Sequence, residues 1–299
     1  MSLLRGNARP LVSIVTPCLN SQPYLGDAIA SVLGQSGIDI EYLVMDGGST
    51  DGSRELIEAH STSLAFWRSE PDGGQTVALN RAFARCTGDV LCWLNGDDFF
   101  LPQALVRAAA PIASGAADLV SGSCLLFDTD GKWATIRKPP AVLDPTALAL
   151  RDPLDQPSTI WSRRLWESTG PLDESLDYVM DWDWFNRAIR AGARYRPVDG
   201  ILSAYRVHPG HKSASGGSRR RDEIRAVVSR YAEPPWPAVF DAFSEHVVRG
   251  VSRVERHCDR RGLWRLRSIA AGAYLVAFWS DSVRLYGLWR MRVAARTLL

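Results

Sequence analysis

Apolar and polar positions follow a regular order over the first hundred residues, in which short apolar runs alternate with longer segments of helical spacing. Turn residues bound each apolar run, which is typical of strands buried on both faces of a parallel sheet. The predicted strands are Leu11–Thr16, Glu41–Met45, Leu64–Arg68 and Val90–Leu94, and the predicted helices between them are Tyr24–Leu33, Arg54–His60 and Thr76–Arg85. This alternation predicts an α/β fold with a mainly parallel sheet flanked by helices.

The second half of the chain is less regular, with shorter periodic segments and more turn residues. Prolines between residues 139 and 157 predict a long loop-rich connection. The other predicted elements are a strand over Asp118–Phe127, its hairpin partner Trp133–Arg137, a segment over Asp173–Ala191 that starts acidic and becomes helical, a strand over Ile201–Val207 and a Gly/Ser/Arg-rich loop over Ser213–Arg221.

The last fifty residues differ from the rest because arginine recurs among large aromatic and aliphatic residues. From Arg249 onward this spacing is typical of a helix lying in a membrane interface. The alternative is an amphipathic helix packed on its own domain or on a second subunit. We therefore predict an α/β domain over residues 1–212 and a helical extension over residues 213–299. The extension is expected to make peripheral membrane contact, and homo-oligomerisation stays open.

Composition limits the compartment and the partners. The 299 residues are 46% hydrophobic and 23% charged, as in an ordinary globular protein, and the net charge of +2 gives no indication of a nucleic-acid partner. Five scattered cysteines without metal-ligand spacing, and an N-terminus without the pattern of a secretory signal, predict a reduced cytoplasmic setting. No apolar run reaches the roughly 20 residues that a spanning helix needs.

The strongest chemical signal is the segment Asn95-Gly96-Asp97-Asp98, which directly follows the buried strand Val90–Leu94. Open α/β sheets bind their ligands at the carboxyl ends of strands. Adjacent carboxylates repel each other unless a positive group lies beside them, and hard oxygen ligands suit Mg²⁺ or Mn²⁺ carrying a diphosphate. The alternative is a plain turn or helix cap, for which the same residues are well suited.

Five motifs in this order resemble family 2 glycosyltransferases, which have the GT-A fold and use nucleotide-diphosphate sugars. The resemblance covers about residues 10 to 212. The motifs are Thr16-Pro17-Cys18-Leu19-Asn20, Asp46-Gly47-Gly48-Ser49-Thr50-Asp51-Gly52, Ser69-Glu70-Pro71-Asp72, Asn95-Gly96-Asp97-Asp98 and Met180-Asp181-Trp182-Asp183.

The resemblance implies a nucleotide pocket formed by the first three motifs. Asp46 would accept hydrogen bonds from the nucleobase, and Thr16 and Pro17 would line the pocket through their backbone. Asn20, which belongs to the first motif, would also contact the nucleotide. Asp72 would lie near the nucleotide or its ribose.

The resemblance also implies a Mn²⁺ or Mg²⁺ site. Asp98 would ligate the metal directly, Asp97 would contact the ribose or the donor sugar, and His208 would reach the metal or the diphosphate. A structural role for His208 is the alternative. One departure from the family pattern is Gly96, which stands where many relatives have serine or alanine.

The fifth motif supplies the candidate catalytic base, Asp181. Inversion at the anomeric carbon requires in-line attack by an acceptor hydroxyl, whose proton a carboxylate must take up. Asp183 is the alternative base, or else a carboxylate favoured at the start of a helix. Trp161, Trp182 and Trp184 would offer stacking faces to a sugar or belong to the core.

The predicted function is an inverting, metal-dependent glycosyltransferase of surface polysaccharide biosynthesis at the inner face of the cytoplasmic membrane. Its acceptor would be a glycan or a polyprenyl-diphosphate-linked glycan. A nucleotidyltransferase would carry a Gly-rich basic loop where this chain has Pro17 to Asn20. A non-catalytic binding module is disfavoured because both Asp98 and Asp181 are present. The prediction requires Asp98 and Asp181 to face one cleft.

Overall fold

The computed structural model describes residues 9–212 and 216–243, together with Arg253, Arg256 and His257. These residues divide into two compact units, one containing residues 9–143 and Asp152–Arg220 and the other containing Asp144–Arg151 and residues 221–243. The predicted domain boundary at residue 212 stays a prediction. Apart from the three isolated residues, the predicted membrane-contacting segment from Arg249 lies outside the described residues.

Within the described residues, nine strands of the larger unit form one mixed sheet in the order β3-β2-β1-β4-β8-β6-β9-β5, with β7 paired to β6. Strands β3, β2, β1 and β4 run parallel, as do β6 and β9, and the remaining pairs are antiparallel. The strands are β1 Leu11–Cys18, β2 Asp39–Asp46, β3 Phe66–Ser69, β4 Val90–Trp93, β5 Phe99–Phe100, β6 Leu119–Asp128, β7 Ala134–Arg137, β8 Thr159–Ser162 and β9 Tyr195–Val207.

Helices lie between the strands along the chain, and the sheet and helices together confirm the predicted α/β class. None of the helices in the described part of the chain combines the length and the apolar content needed to cross a lipid bilayer. The helices are α1 Gln22–Leu33, α2 Ser53–Ala59, α3 Gln75–Phe83, α4 Ala104–Ala113, α5 Pro145–Leu148, α6 Arg163–Thr169, α7 Met180–Arg190, α8 Gly217–Tyr231 and α9 Trp236–Phe243, with short 3₁₀ turns at Ser61–Ser63 and Gln156–Ser158.

The sheet is buried on both faces, as its continuous apolar strands predict. On one face, Val90 and Cys92 of β4 belong to an aliphatic cluster that includes buried residues of α1 and α4. On the other face, Trp93 of β4 meets a layer of buried rings, with its ring centroid 5.5 Å from that of Trp161. Trp161, Trp182 and Trp184 all lie in the core. The strands whose carboxyl ends lead into the motif loops are thus packed on both faces.

The structure locates the helix of one predicted segment and corrects one predicted loop. In the segment from Asp173, predicted to start acidic and become helical, the helix begins at Met180. Before it, the Asp173 carboxylate accepts hydrogen bonds from the backbone N–H and hydroxyl of Ser175 and forms a local turn. The loop predicted over Ser213–Arg221 is wrong from Gly217 onward, where α8 begins. Buried residues four and five positions apart along α8, Glu223, Val227 and Val228, show the helical stripe that the Gly/Ser composition obscured.

Candidate active site

The parallel strands end at one edge of the sheet, and this edge brings the first three motifs together. In the register of β1, β2 and β3, Cys18 lies beside Asp46 and Asp46 lies beside Ser69. The loops after these strands therefore start from three adjacent positions. This is the edge at which open α/β sheets bind ligands.

Asp46 is buried at the centre of this edge, with only 2% of its surface exposed. Its carboxylate accepts hydrogen bonds from the Ser49 backbone N–H at 3.1 and 3.2 Å, from the Ser49 hydroxyl, and from the Ser69 hydroxyl at 2.6 Å. Asp46 therefore holds the turn after β2 in place. A nucleobase contact would use the remaining lone-pair capacity of the carboxylate or replace one of these hydroxyls.

Asn20 and Asp72 join the neighbouring loops to that turn. The Asn20 backbone N–H donates to the Ser49 hydroxyl at 2.7 Å, and the Asn20 side-chain oxygen accepts from the Thr50 N–H at 2.9 Å. Asp72 accepts from the Gly74 N–H at 2.7 Å, and its other oxygen lies 3.3 Å from the position that a Cβ at Gly47 would occupy. The close approach of Asp72 thus favours glycine at position 47.

Thr16 and Pro17 lie deeper than the loops. The Thr16 hydroxyl is paired with the Tyr42 hydroxyl at 2.9 Å inside the core. The Pro17 carbonyl accepts from the Gly96 N–H at 3.3 Å and so ties β1 to the segment after β4. A Cβ at Gly96 would lie 3.0 Å from the Cys18 Cβ and 3.2 Å from the Ser21 Cβ, which explains why glycine stands at this position.

Asp97, Asp98 and His208 come together above the end of β4. Asp98 is almost fully buried and accepts from the Arg206 backbone N–H at 3.1 Å and from the Asn95 amide at 3.3 Å. Burial, and then the neighbouring charge of Asp97, raise the pKa of Asp98 well above its ordinary value. His208 Nε2 lies 3.1 Å from Asp97 Oδ2.

This group fits a divalent cation in its chemistry. Within the described residues, no three histidine, cysteine or acidic side chains form a complete coordination set by themselves. Burial and the charge of Asp97 both disfavour the ionised form of Asp98, so a positive charge nearby would favour it. A cation that shares its ligands between these side chains and the oxygens of a diphosphate would supply that charge.

Asp181 lies at the second residue of α7, and its carboxylate accepts from the Trp182 N–H at 2.8 Å. Burial raises the pKa of Asp181 to about 6, while the backbone N–H groups and the charges of Lys212 and Arg220 partly oppose the rise. Asp183 has a different environment, since it is fully buried and its carboxylate accepts from Arg187 Nε at 3.0 Å. Of the two predicted bases, Asp181 has the environment of a proton acceptor.

Hydrogen bonds run from Asp98 to Lys212, a residue whose charge acts on Asp181. Asn95 donates its amide N–H to Asp98, and its side-chain oxygen accepts from Gln75 Nε2 at 2.8 Å. The Gln75 side-chain oxygen in turn accepts from Lys212 Nζ at 2.9 Å, and the charge of Lys212 lowers the pKa of Asp181. The shared cleft of Asp98 and Asp181 stays a prediction.

Residues 13–165, more than half of the chain, match the family model described as Glycosyl transferase family 2. The chain belongs to glycosyl transferase family 2. The predicted family and the predicted enzyme class are thereby confirmed.

Two relatives of this family 2 chain are bacterial glycosyltransferases. An uncharacterized glycosyltransferase of Rickettsia bellii (strain RML369-C) is 26% identical over 235 residues, which are 75% of this chain and 34% of the relative. This chain thus spans about a third of that relative's length. A PGL/p-HBAD biosynthesis glycosyltransferase of Mycobacterium bovis (strain BCG / Pasteur 1173P2) is 28% identical over 182 residues, which are 59% of this chain and 69% of the relative.

Solved structures confirm the predicted GT-A fold. S. aureus TarS 1-349 in complex with UDP-GlcNAc has a TM-score of 0.61 at 16% identity, covering 94% of this chain and 91% of TarS 1-349. The mannosyltransferase PcManGT from Pyrobaculum calidifontis, in complex with GDP-Man and Mn²⁺, has a TM-score of 0.58 at 17% identity, covering 98% and 88% of the two chains. At these identities the likeness is one of fold.

The family 2 motifs do not include Asp152, a carboxylate that the structure adds to the site. Its side chain accepts from the Leu154 N–H at 2.9 Å. Burial, and then the charge of Asp181, raise the pKa of Asp152 well above its ordinary value. Asp152 lies in the proline-rich connection, where the sequence indicates only a loop, so no periodicity marks it as a neighbour of the candidate base.

Proposed function

We propose that this family 2 enzyme transfers a sugar from a nucleoside-diphosphate sugar to an acceptor hydroxyl with inversion at the anomeric carbon. The observation that carries the proposal is the hydrogen-bonded network from Asp98 to Lys212, whose charge acts on Asp181. The solved structures of similar fold, which hold UDP-GlcNAc or GDP-Man, support the donor class.

Asp98, Asp97 and His208 are the residues that would hold Mn²⁺ or Mg²⁺, which when bound supplies positive charge to the departing diphosphate. The Mn²⁺ complex of the Pyrobaculum mannosyltransferase supports this assignment. The loops held by Asp46, Asn20 and Asp72, with the strand end at Thr16 and Pro17, would receive the nucleoside. Their hydrogen bonds to one another fix these loops before the donor arrives.

Asp181 would take the proton from the attacking hydroxyl. With a pKa of about 6, it is mostly ionised near pH 7 and yet more basic than an ordinary aspartate, and both properties suit a general base. The nearby Asp152 keeps its proton more tightly, because two close carboxylates do not ionise together at low cost.

The acceptor in this proposal is a glycan or a polyprenyl-diphosphate-linked glycan used in surface polysaccharide assembly, at the cytoplasmic face of the membrane. The sequence of the 213–299 extension, with its arginine and aromatic residues, supports membrane contact. Deletion of residues 249–299 is expected to abolish co-sedimentation with vesicles containing anionic lipid. Unchanged co-sedimentation of the shortened protein would contradict the membrane part of the proposal.

The catalytic part is tested by incubating the full chain with UDP- and GDP-linked sugars and Mn²⁺, and measuring the release of nucleoside diphosphate. We expect release by the wild type with at least one donor, and its loss in Asp98→Asn and Asp181→Asn. Asp130→Asn is the matched control, because Asp130 lies in an exposed hairpin turn, where it forms an exposed ion pair with Lys132. Equal turnover by all four proteins would refute the assignment.

A further inference from the structure

Arg206, near the end of β9, has a guanidinium group enclosed by aromatic rings. Its side chain is only 13% exposed. The guanidinium carbon lies 4.7 Å from the ring centroid of Tyr24, 5.3 Å from that of Phe127 and 5.5 Å from that of Phe99. Cation–π attraction at these distances holds the guanidinium in one place and replaces part of its hydration.

From this enclosure Arg206 contacts both residues of the carboxylate turn. Its Nε donates to the backbone carbonyl of Asp97 at 3.1 Å, and its own backbone N–H donates to Asp98 Oδ1 at 3.1 Å. Its Nη2 donates to Asp27 of α1 at 2.7 Å. One residue therefore connects the turn after β4 to both a strand and a helix of the same unit.

The same enclosure reaches His208. The Tyr24 ring that packs against the Arg206 guanidinium has its centroid 4.6 Å from that of the His208 imidazole. A change in the position of Arg206 would therefore move Asp97, Asp98 and the ring beside His208 together.

The choice of acceptor for the guanidinium is informative. An arginine next to two carboxylates would ordinarily pair with one of them bidentately. Here the Arg206 side chain donates to the carbonyl of Asp97, while the Asp97 carboxylate faces His208. The Arg206 guanidinium therefore holds the backbone of the turn, and the carboxylate with which it pairs is that of Asp27 on α1.

We infer that Arg206 is a positioning residue that sets the geometry of Asp97, Asp98 and His208 for the cation-bound diphosphate. The inference rests on the proposed function. Its test measures Mn²⁺ binding by the full chain from the electron paramagnetic resonance signal of free Mn²⁺, with UDP or GDP present, whichever raises the melting temperature of the wild type more.

Arg206→Gln is expected to weaken Mn²⁺ binding about tenfold or more, the range seen when groups that orient metal ligands are removed. Arg206→Lys retains a cation but not the planar fork that reaches Asp97 and Asp27 together, so an intermediate affinity is expected. Asp27→Asn removes only an exposed ion-pair partner and should weaken binding about threefold or less. These two milder variants carry the test if Arg206→Gln does not fold.

Arg194→Gln is the matched control. Arg194 also has a side chain and a backbone N–H that donate to a buried aspartate, Asp118, but it precedes β9 at the opposite end of the strand. The substitution Arg194→Gln should lower the melting temperature and leave the Mn²⁺ affinity at the wild-type value. Wild-type Mn²⁺ affinity in the Arg206 variants would overturn the inference about Arg206 but not the proposed function. A loss of Mn²⁺ affinity in Arg194→Gln equal to that in the Arg206 variants would do the same. A wild type that binds no Mn²⁺ with either nucleotide would overturn the proposed function as well.

Discussion

The two ends of β9 carry similar groups with opposite consequences. Before the strand, Arg194 donates to Asp118 from its backbone N–H at 3.2 Å and from Nε at 2.7 Å, and Arg164 pairs with the same carboxylate. Near its end, Arg206 donates to Asp98 from its backbone N–H, but its guanidinium goes to a backbone carbonyl. The arginines hold the pKa of Asp118 far below its ordinary value, whereas the pKa of Asp98 is raised.

The difference shows how one sheet separates stability from chemistry. At the Asp118 end, the positive charges lie on the carboxylate and the interaction is complete within the protein. At the Asp98 end, the arginine fixes the backbone and leaves negative charge that a bound cation would compensate. Buried aspartates in the same unit thus stabilise the fold or prepare it for a ligand, depending on where the neighbouring guanidinium is directed.

The largest expected effect comes from Asp98→Asn. Loss of the proposed metal ligand should reduce turnover about a thousandfold or more, since charge stabilisation by a metal amounts to several kcal/mol. The free energy of unfolding at pH 7 should stay the same or rise, because a raised pKa means that folding disfavours the ionised form of Asp98. Donor turnover and urea unfolding measure the two quantities. A large loss of stability would place Asp98 in the same class as Asp118.

Asp181→Asn is expected to lower kcat about a hundredfold to ten-thousandfold, the range for removal of a general base. In the wild type, kcat/KM should rise with pH and level off above about 6, because Asp181 must be ionised to accept a proton. Measurement of kcat/KM from pH 4.5 to 8 tests this. A profile that is flat through pH 6 would argue against Asp181 as the base.

Asp118→Asn should leave turnover at neutral pH near the wild-type value and lower the free energy of unfolding by about 1–2 kcal/mol, because its arginines are partly exposed and screened. The folded-state pKa of Asp118 is depressed, so its stabilisation is full above the unfolded pKa of about 4 and declines as the pH falls below it. The stability gap between wild type and variant in urea should therefore narrow from pH 4 to pH 2. A constant gap would mean that the ion pairs contribute little.

Asp152→Asn has the smallest expected effect. Because Asp152 keeps its proton while Asp181 titrates, the acidic limb of the kcat/KM profile should stay within about 0.3 pH unit of the wild-type position. The pH profile of the variant, compared with that of the wild type, measures the shift. A limb that moves clearly to lower pH would show that Asp152 is ionised beside Asp181.

The parts of this structure that depend on short stretches of sequence were predictable. The apolar run of β4 and the Asn95–Asp98 segment after it specify a buried strand and a carboxylate turn with local information alone. The order of the motifs was enough to indicate the family. The different environments of Asp181 and Asp183 could not be predicted, because Asp183 pairs with Arg187 one helical turn away and its burial depends on tertiary packing.

The parts that depend on distant contacts were not predictable. Asp152 approaches Asp181 from an irregular connection that has no hydrophobic period to place it. In the sequence, Arg206 is one polar residue near the end of a predicted strand. Its proposed positioning role follows from the aromatic rings that α1, β5 and β6 place around its guanidinium group. The start of α8 was missed because glycine and serine, which favour loops, precede helix-forming arginines.

The ring layer beneath the sheet gives the enzyme an intrinsic optical reporter. Trp93, Trp161, Trp166 and Trp184 pack within 4.8–6.3 Å of one another in successive contacts, close enough for their indole transitions to couple. Trp93 lies two residues before Asn95, and its backbone carbonyl accepts a hydrogen bond from Gln156 Nε2 at 2.8 Å. Circular dichroism of the unlabelled protein should consequently report the loss of this ring packing when the protein unfolds.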